Sequence, residues 1–160
     1  MRRKVLIAFV LCGLWFAVQP ASIAQTAASK PTLVGSWDFT AKPNPDPSGT
    51  LVAGLITFTS NGTVVESDTG EAARHATPGH GIWQLGPTPG IWFIRFTSHE
   101  ANRDGTLHSS RVVTITVTLN STGDQFSGNY SFEVVDPTGH ALTMGSGTVA
   151  GQLMVHPLLP

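Results

Sequence analysis

Residues 107–119 (LHSSRVVTITVTL) and 125–135 (QFSGNYSFEVV) flank the short segment NSTGD at 120–124. Apolar side chains alternate with polar ones along both stretches. The apolar members are Val113, Ile115, Val117, Leu119, Phe126, Tyr130, Phe132 and Val134. A period of two places these side chains on one face of a strand and the polar side chains on the other. The pattern therefore predicts two antiparallel strands that are joined by a tight turn and share one apolar face.

The rest of the chain repeats this arrangement of short apolar runs and turns. The turn Ser60-Asn61-Gly62 between two β-branched runs is typical of a hairpin. The proline-rich segment 42–50 is predicted to be a loop, because proline lacks the amide donor that a central strand needs. The polar loop 68–79 has room for a short helix at 71–74. Six further strands are predicted at residues 33–40, 51–59, 63–67, 81–85, 90–98 and 141–155.

The fold class follows from the way these strands can bury their apolar faces. No helical pattern is long enough to cover one side of an open sheet. Antiparallel strands with one apolar face each must then close on themselves or pack as two sheets. We predict an all-β domain at 33–157 that forms a single eight-stranded antiparallel up-and-down barrel, with a two-sheet β-sandwich as the alternative.

The N-terminal segment 1–24 has the pattern of a secretory signal peptide. Three basic residues open it, and an uncharged apolar run follows at 5–18, which is shorter than the ~20 residues of a membrane-spanning helix. Ser22 and Ala24 suit a cleavage that leaves Gln25 as the new N-terminus. We expect a disordered leader at 25–32, a secreted or periplasmic protein, and no membrane insertion after cleavage.

The composition of the exported part limits its chemistry. The one cysteine, Cys12, lies inside the signal segment, so disulfides, thiolate metal sites and cysteine nucleophiles are not expected. Removing the three basic residues of the signal leaves six Lys and Arg against ten Asp and Glu, a formal charge of −4. This balance argues against a nucleic-acid partner, which would need clustered basic residues. No cofactor is predicted.

The first predicted strand carries Gly35-Ser36-Trp37. A Gly-x-Trp on the first strand of an eight-stranded meander resembles the lipocalins and related calycin barrels. The resemblance implies that Trp37 closes one end of a cup-shaped barrel and that the interior holds a small, usually apolar molecule. Segment 141–160 lacks the Arg and the helix that typical lipocalins carry there. The chain is therefore more similar to short lipocalin-like barrels, a group that includes small barrel cyclases.

Candidate ligand-binding residues are those that the alternation places on the apolar face of a strand and those that are aromatic. Arg111 is in phase with the apolar face of its strand and is predicted to point into the barrel mouth, where an acidic group of a ligand would bind it. The alternatives are a solvent-exposed Arg or a pair with a carboxylate such as Glu66. Trp83, Tyr130 and Phe132 are predicted to line the ligand cavity. The same aromatic side chains would equally fill a packed core.

Two residues are candidates for proton transfer in an alternative, enzymatic reading. Glu66 follows Val64 on one face of its strand, which makes it a candidate interior carboxylate, and the other reading is an exposed acid at the strand end. His80 lies between two glycines near His75, without the spacing of a metal site. Arg95 is predicted to lie outside. Three hypotheses remain open: a binding barrel for a small amphipathic molecule, a cofactor-free isomerase or cyclase, and a packed barrel that acts through its surface.

Overall fold

The computed structural model describes residues 31–45 and 50–155, so the predicted signal peptide and most of the leader lie outside the described residues. Eight strands form a closed barrel in which each strand pairs antiparallel with the next and the last pairs with the first. The prediction of a single up-and-down barrel is confirmed, and the two-sheet sandwich does not form. The strands are β1 (Gly35–Asn44), β2 (Val52–Phe58), β3 (Thr63–Asp68), β4 (Gly79–Leu85), β5 (Ile91–Ala101), β6 (Leu107–Leu119), β7 (Gln125–Val135) and β8 (Ala141–Leu153), with one short helix, α1 (Glu71–Arg74), after β3.

Polar side chains fix the turns that hold these strands in register. In the β2–β3 hairpin, Gly62 has a φ of 88°, a left-handed conformation that glycine adopts without a steric penalty. In the β7–β8 turn, the Asp136 carboxylate accepts hydrogen bonds from the backbone amides of Thr138 and His140 at 2.8 and 2.9 Å. Such carboxylate-to-backbone bonds are the reason that Asp and Asn favour turns.

The strand β1 extends further than the sequence predicts. It continues to Asn44 and includes Pro43, whereas the prolines were expected to end the strand by residue 40. Beyond Ala41 this strand pairs with β8 and has no partner residue on β2. A strand with one free edge tolerates a missing amide donor, and this explains why β1 continues through Pro43.

One end of the barrel is packed solid. Trp37 is fully buried there, and its indole nitrogen donates a hydrogen bond to the Leu33 carbonyl oxygen at 2.8 Å. Its ring centroid lies 5.2 Å from that of Phe126. Further buried side chains at this closed end are Phe58, Val64, Trp92 and Val117. Within residues 31–45 and 50–155, no helix has the length and apolar content that a membrane span requires.

Candidate functional site

The opposite end of the barrel contains a cavity of about 250 Å³. Its apolar walls come from β1, β2, β5, β6, β7 and β8, and its charged residues come from β3, α1 and β6. The lining residues that matter below are Glu66, Asp68, Arg74, Phe96, Arg111, Val113, Tyr130 and Phe132. A larger depression of about 630 Å³ lies along β1, β6, β7 and β8, where it is lined mainly by outward-facing polar and small side chains. The interior cavity is therefore the candidate site.

Glycines on β8 make room for the aromatic wall of this cavity. Gly147 lies opposite Tyr130 and Gly145 lies opposite Phe132 in the β7–β8 register. A Cβ atom on Gly147 would lie 2.7 Å from the Tyr130 ring and 2.1 Å from the backbone oxygen of Lys42. The two aromatic rings lean over the glycines and stack on each other, with their centroids 6.5 Å apart. The glycines thus position the rings that line the open end.

Glu66 carries a carboxyl group into the barrel interior. Only 5% of its surface is exposed, and it forms no hydrogen bond or salt bridge with any residue of the described ranges. Gly79 is its register partner on β4, so no side chain on that partner covers the carboxyl. The interior position that parity allowed for Glu66 is the one that the structure has.

The surroundings of Glu66 favour its neutral form. The pKa of Glu66 is raised to about 8: burial is the largest cause, the negative charges of Asp68 and Glu71 add to it, and Arg74 and Arg111 act in the opposite direction. Desolvation dominates because an ionised carboxylate loses its water shell in an apolar cavity. At neutral pH most molecules therefore hold a protonated carboxyl that is able to donate or to accept a hydrogen bond.

The other charged groups at this end form a connected network. Arg74 binds the Asp68 carboxylate at 2.9 Å, and Arg111 binds Oε1 of Glu100 at 3.1 Å. Glu100 joins the two pairs, since its Oε1 also lies 3.5 Å from the buried Nε of Arg74, which forms no hydrogen bond with the described residues. Ser109 donates a hydrogen bond to the second oxygen of Glu100 at 3.0 Å. Within this network, each arginine has a carboxylate partner.

The network fixes the loop after β3 against the barrel mouth. Arg74 is the last residue of α1, and Ala76 forms an isolated β-bridge with Glu100 at the end of β5. The amide of Ala101 donates to the carbonyl oxygen of His75 at 3.1 Å. Because Arg74 lines the cavity, this loop contributes one wall of the open end.

The structure brings together three of the four predicted ligand-binding residues. Arg111, Tyr130 and Phe132 line the same cavity, and the Arg111 guanidinium lies 4.7 Å from the centre of the Phe132 ring. Trp83 does not join them. Its indole packs against Phe58 and Trp92 toward the closed end and donates a hydrogen bond to the carbonyl oxygen of Thr59.

The two candidate proton-transfer residues are separated by the barrel wall. His80 is exposed and has the opposite parity to Gly79 and Gly81, whereas Glu66 lies inside. His80 therefore faces away from the cavity, and a shared acid–base site with Glu66 does not exist. Arg95 is exposed on the outer face of β5, as predicted. His75 is also exposed, in a left-handed conformation at the end of α1.

Sequence reasoning missed Arg74 and Glu100. The predicted fifth strand ended at residue 98, whereas β5 continues to Ala101. Glu100 is in phase with the buried residues Phe96 and Ser98, so a longer strand would have placed it inside. Neither a strand pattern with a period of two nor a helical pattern with a period of 3.6 indicated that Arg74 lines the cavity. In the described part of the chain, no group of three or more His, Cys, Asp or Glu side chains is placed to hold a metal ion.

Comparison with known proteins gives no relative from which a role could be transferred. No protein-family model matches the chain, and neither a curated protein nor a solved structure matches it. The functional argument therefore depends on the cavity.

Proposed function

We propose that this protein is an exported lipocalin-like barrel that binds one small, partly apolar molecule in the cavity at its open end. The observation that carries the proposal is a cavity with apolar walls and a buried carboxyl group, Glu66, that has no hydrogen-bond partner among the described residues. Apolar walls with a few polar groups that orient the ligand are typical of small-molecule sites. A barrel packed throughout would have no such space.

The cavity volume indicates a compact ligand. Its 250 Å³ lies just below the range of about 300–1,000 Å³ that is usual for pockets of drug-sized ligands. Phe96, Tyr130 and Phe132 offer flat apolar surface, so a ligand with a ring or a short branched chain would fit. The residue at the mouth is Arg111, although its pairing with Glu100 makes it a weaker anchor than a free guanidinium would be.

Native mass spectrometry of the purified protein, before and after denaturing extraction, tests this proposal. We expect a co-purifying small molecule, or binding of one or more compounds from a panel of small aromatic molecules. Ala41→Phe should abolish binding because Ala41 lines the cavity, so the new ring would fill it. Thr40→Phe is the matched control, since Thr40 is the neighbouring residue on the outer face.

The binding proposal fails under either of two results. One is an empty protein that binds no member of the panel. The other is a molecule that Ala41→Phe retains as well as the wild type does, because such a molecule would lie elsewhere. Export of the protein is tested separately. The exported chain should have the mass of a chain that starts at Gln25.

A second candidate function is a cofactor-free isomerase or cyclase. The observation in its favour is the burial of Glu66 in the cavity, which raises its pKa to about 8, close to neutral pH, where general acids and bases work best. Proton transfer by Glu66 would exchange the α-hydrogens of small ketones in D₂O, a reaction that NMR follows directly. Equal exchange rates for the wild type and Glu66→Gln would rule out this activity on those substrates.

A further inference from the structure

The charges around the cavity indicate what kind of ligand it takes. Asp68 and Glu100 are matched by Arg74 and Arg111, so those four groups carry no net charge. Glu66 is the fifth, and it has no basic partner within hydrogen-bonding distance among the described residues. When Glu66 is ionised, these five groups together carry one excess negative charge. A ligand with a single positive charge would neutralise it.

An anionic ligand is disfavoured by the same arrangement. Both arginines already donate to carboxylates, and an anion would have to displace Asp68 or Glu100 from them. The anion would also lie in the field of Asp68 and Glu71, whose negative charges already act on Glu66. Like charges in a low-dielectric cavity repel strongly.

The aromatic walls are compatible with a bound cation. The Arg111 guanidinium already lies over the Phe132 ring, so this wall contacts positive charge in the structure. On the other side, Glu66 Oε2 and the Phe96 ring edge both lie within 3 Å of the point that a Cβ on Gly79 would occupy. A cationic group that binds Glu66 would therefore lie near the Phe96 ring as well.

We propose that the molecule bound in this cavity is a small organic amine, held as its ammonium ion against the Glu66 carboxylate. This assignment rests on the proposed binding function and adds the chemical class of the ligand. Binding changes the ionisation of the protein: the neutral Glu66 carboxyl releases its proton to solvent, and the ammonium ion donates hydrogen bonds to the carboxylate that remains. No covalent bond forms or breaks in the ligand.

Three probes with the same ring and different charge test the assignment: benzylamine, benzyl alcohol and benzoate. Isothermal titration calorimetry near pH 7 should show benzylamine binding about ten-fold or more tightly than benzyl alcohol, because a charge-assisted hydrogen bond is stronger than a neutral one. Benzoate should bind most weakly. Titrations in two buffers with different ionisation enthalpies should show release of close to one proton per benzylamine, because most Glu66 side chains begin protonated.

The Glu66→Gln variant keeps the shape of the side chain and removes its charge. We expect it to lose about ten-fold or more in benzylamine affinity, to bind benzyl alcohol as the wild type does, and to release no proton. Glu133→Gln is the matched control, because Glu133 is exposed on the outer face of β7. Far-ultraviolet circular dichroism confirms that each variant is folded, and proton release by the wild type is a test that needs no variant.

The outcomes separate this assignment from the broader proposal. If benzyl alcohol or benzoate binds as tightly as benzylamine, or if the co-purified molecule has no basic nitrogen, the amine assignment is overturned and the binding function stands. If no probe binds and extraction yields nothing, both proposals fail.

Discussion

Glu66 is the residue whose chemistry depends most on its surroundings. The apolar walls deprive an ionised carboxylate of water, and the nearby charges of Asp68 and Glu71 add to that penalty. Gly79 faces it because a larger residue would collide: a Cβ there would lie 2.5 Å from the Phe96 ring and 2.9 Å from Glu66 Oε2. The protein keeps this carboxyl buried by holding it neutral.

The raised pKa of Glu66 predicts that stability falls as pH rises. The carboxyl titrates near 4.5 in the unfolded chain and near 8 in the folded barrel. Between these values the folded state binds one more proton than the unfolded state, so raising the pH favours unfolding by up to about 1.4 kcal/mol per pH unit. Glu66→Gln should remove this contribution to the slope. Urea denaturation of both proteins at pH 5, 6, 7 and 8 measures it.

Two features isolate the contribution of Glu66 in that experiment. The pKa values of Asp104, Asp124 and Asp136 lie below the usual range, because hydroxyl groups of Thr106, Thr122 and Thr138 donate to their carboxylates, so these groups titrate below the window. Groups that do not interact with Glu66 contribute equally to the wild type and to the variant and cancel in the difference. An identical pH dependence for the two proteins would contradict the buried, neutral state of Glu66.

At the scale of the strands, β7 and β8 form the aromatic wall together. The rings of β7 fit because the facing positions of β8 have no side chains, as the close approach of Gly147 to Tyr130 shows. Gly147 also lies against the backbone of β1, since a Cβ atom there would lie 2.1 Å from the Lys42 carbonyl oxygen.

Gly147→Ala should destabilise the barrel by about 1–3 kcal/mol, the usual effect of forcing an extra carbon into a packed site. The new methyl group has backbone on one side and the Tyr130 ring on the other, so neither neighbour can simply move away. Ser146→Ala, one residue earlier on the outer face, should change stability by less than about 0.5 kcal/mol. Equal effects of the two substitutions in urea denaturation would show that the contact at Gly147 is not strained.

The strands were predictable from the sequence to a greater extent than the site was. Period-two alternation gave the bounds of β6 and β7 and the inward parity of Arg111, because one-residue shifts would turn every apolar side chain outward. Pro43 was misjudged because the free edge of β1 depends on where β2 begins. Arg74 and Glu100 are 26 residues apart in the sequence but lie close together in the fold, and local sequence patterns carry no information about such pairing. The strand register also decides which end of the barrel an aromatic side chain occupies, as it does for Trp83.

The whole barrel divides into an end that is packed and an end that contains a cavity. The closed end is built of large, fully buried side chains, including Trp37 and Phe58. The open end contains half-buried aromatic rings and a charge network around a cavity. The packed end can hold the fold together while the open end keeps groups, such as the Glu66 carboxyl, that a solid core would not tolerate.

This division predicts unequal effects of truncation at the two ends. Trp37→Ala should lower the free energy of unfolding by about 3–5 kcal/mol, because it leaves an enclosed void and removes the hydrogen bond to Leu33. Phe132→Ala should lower it by about half as much or less, because Phe132 lines a cavity that already exists and buries less apolar surface. Urea denaturation near pH 5, where Glu66 is protonated in most folded molecules, compares the two. Equal losses would mean that the open end contributes as much to folding as the closed end does, and the rings of β7 would then be core residues rather than the wall of a binding site.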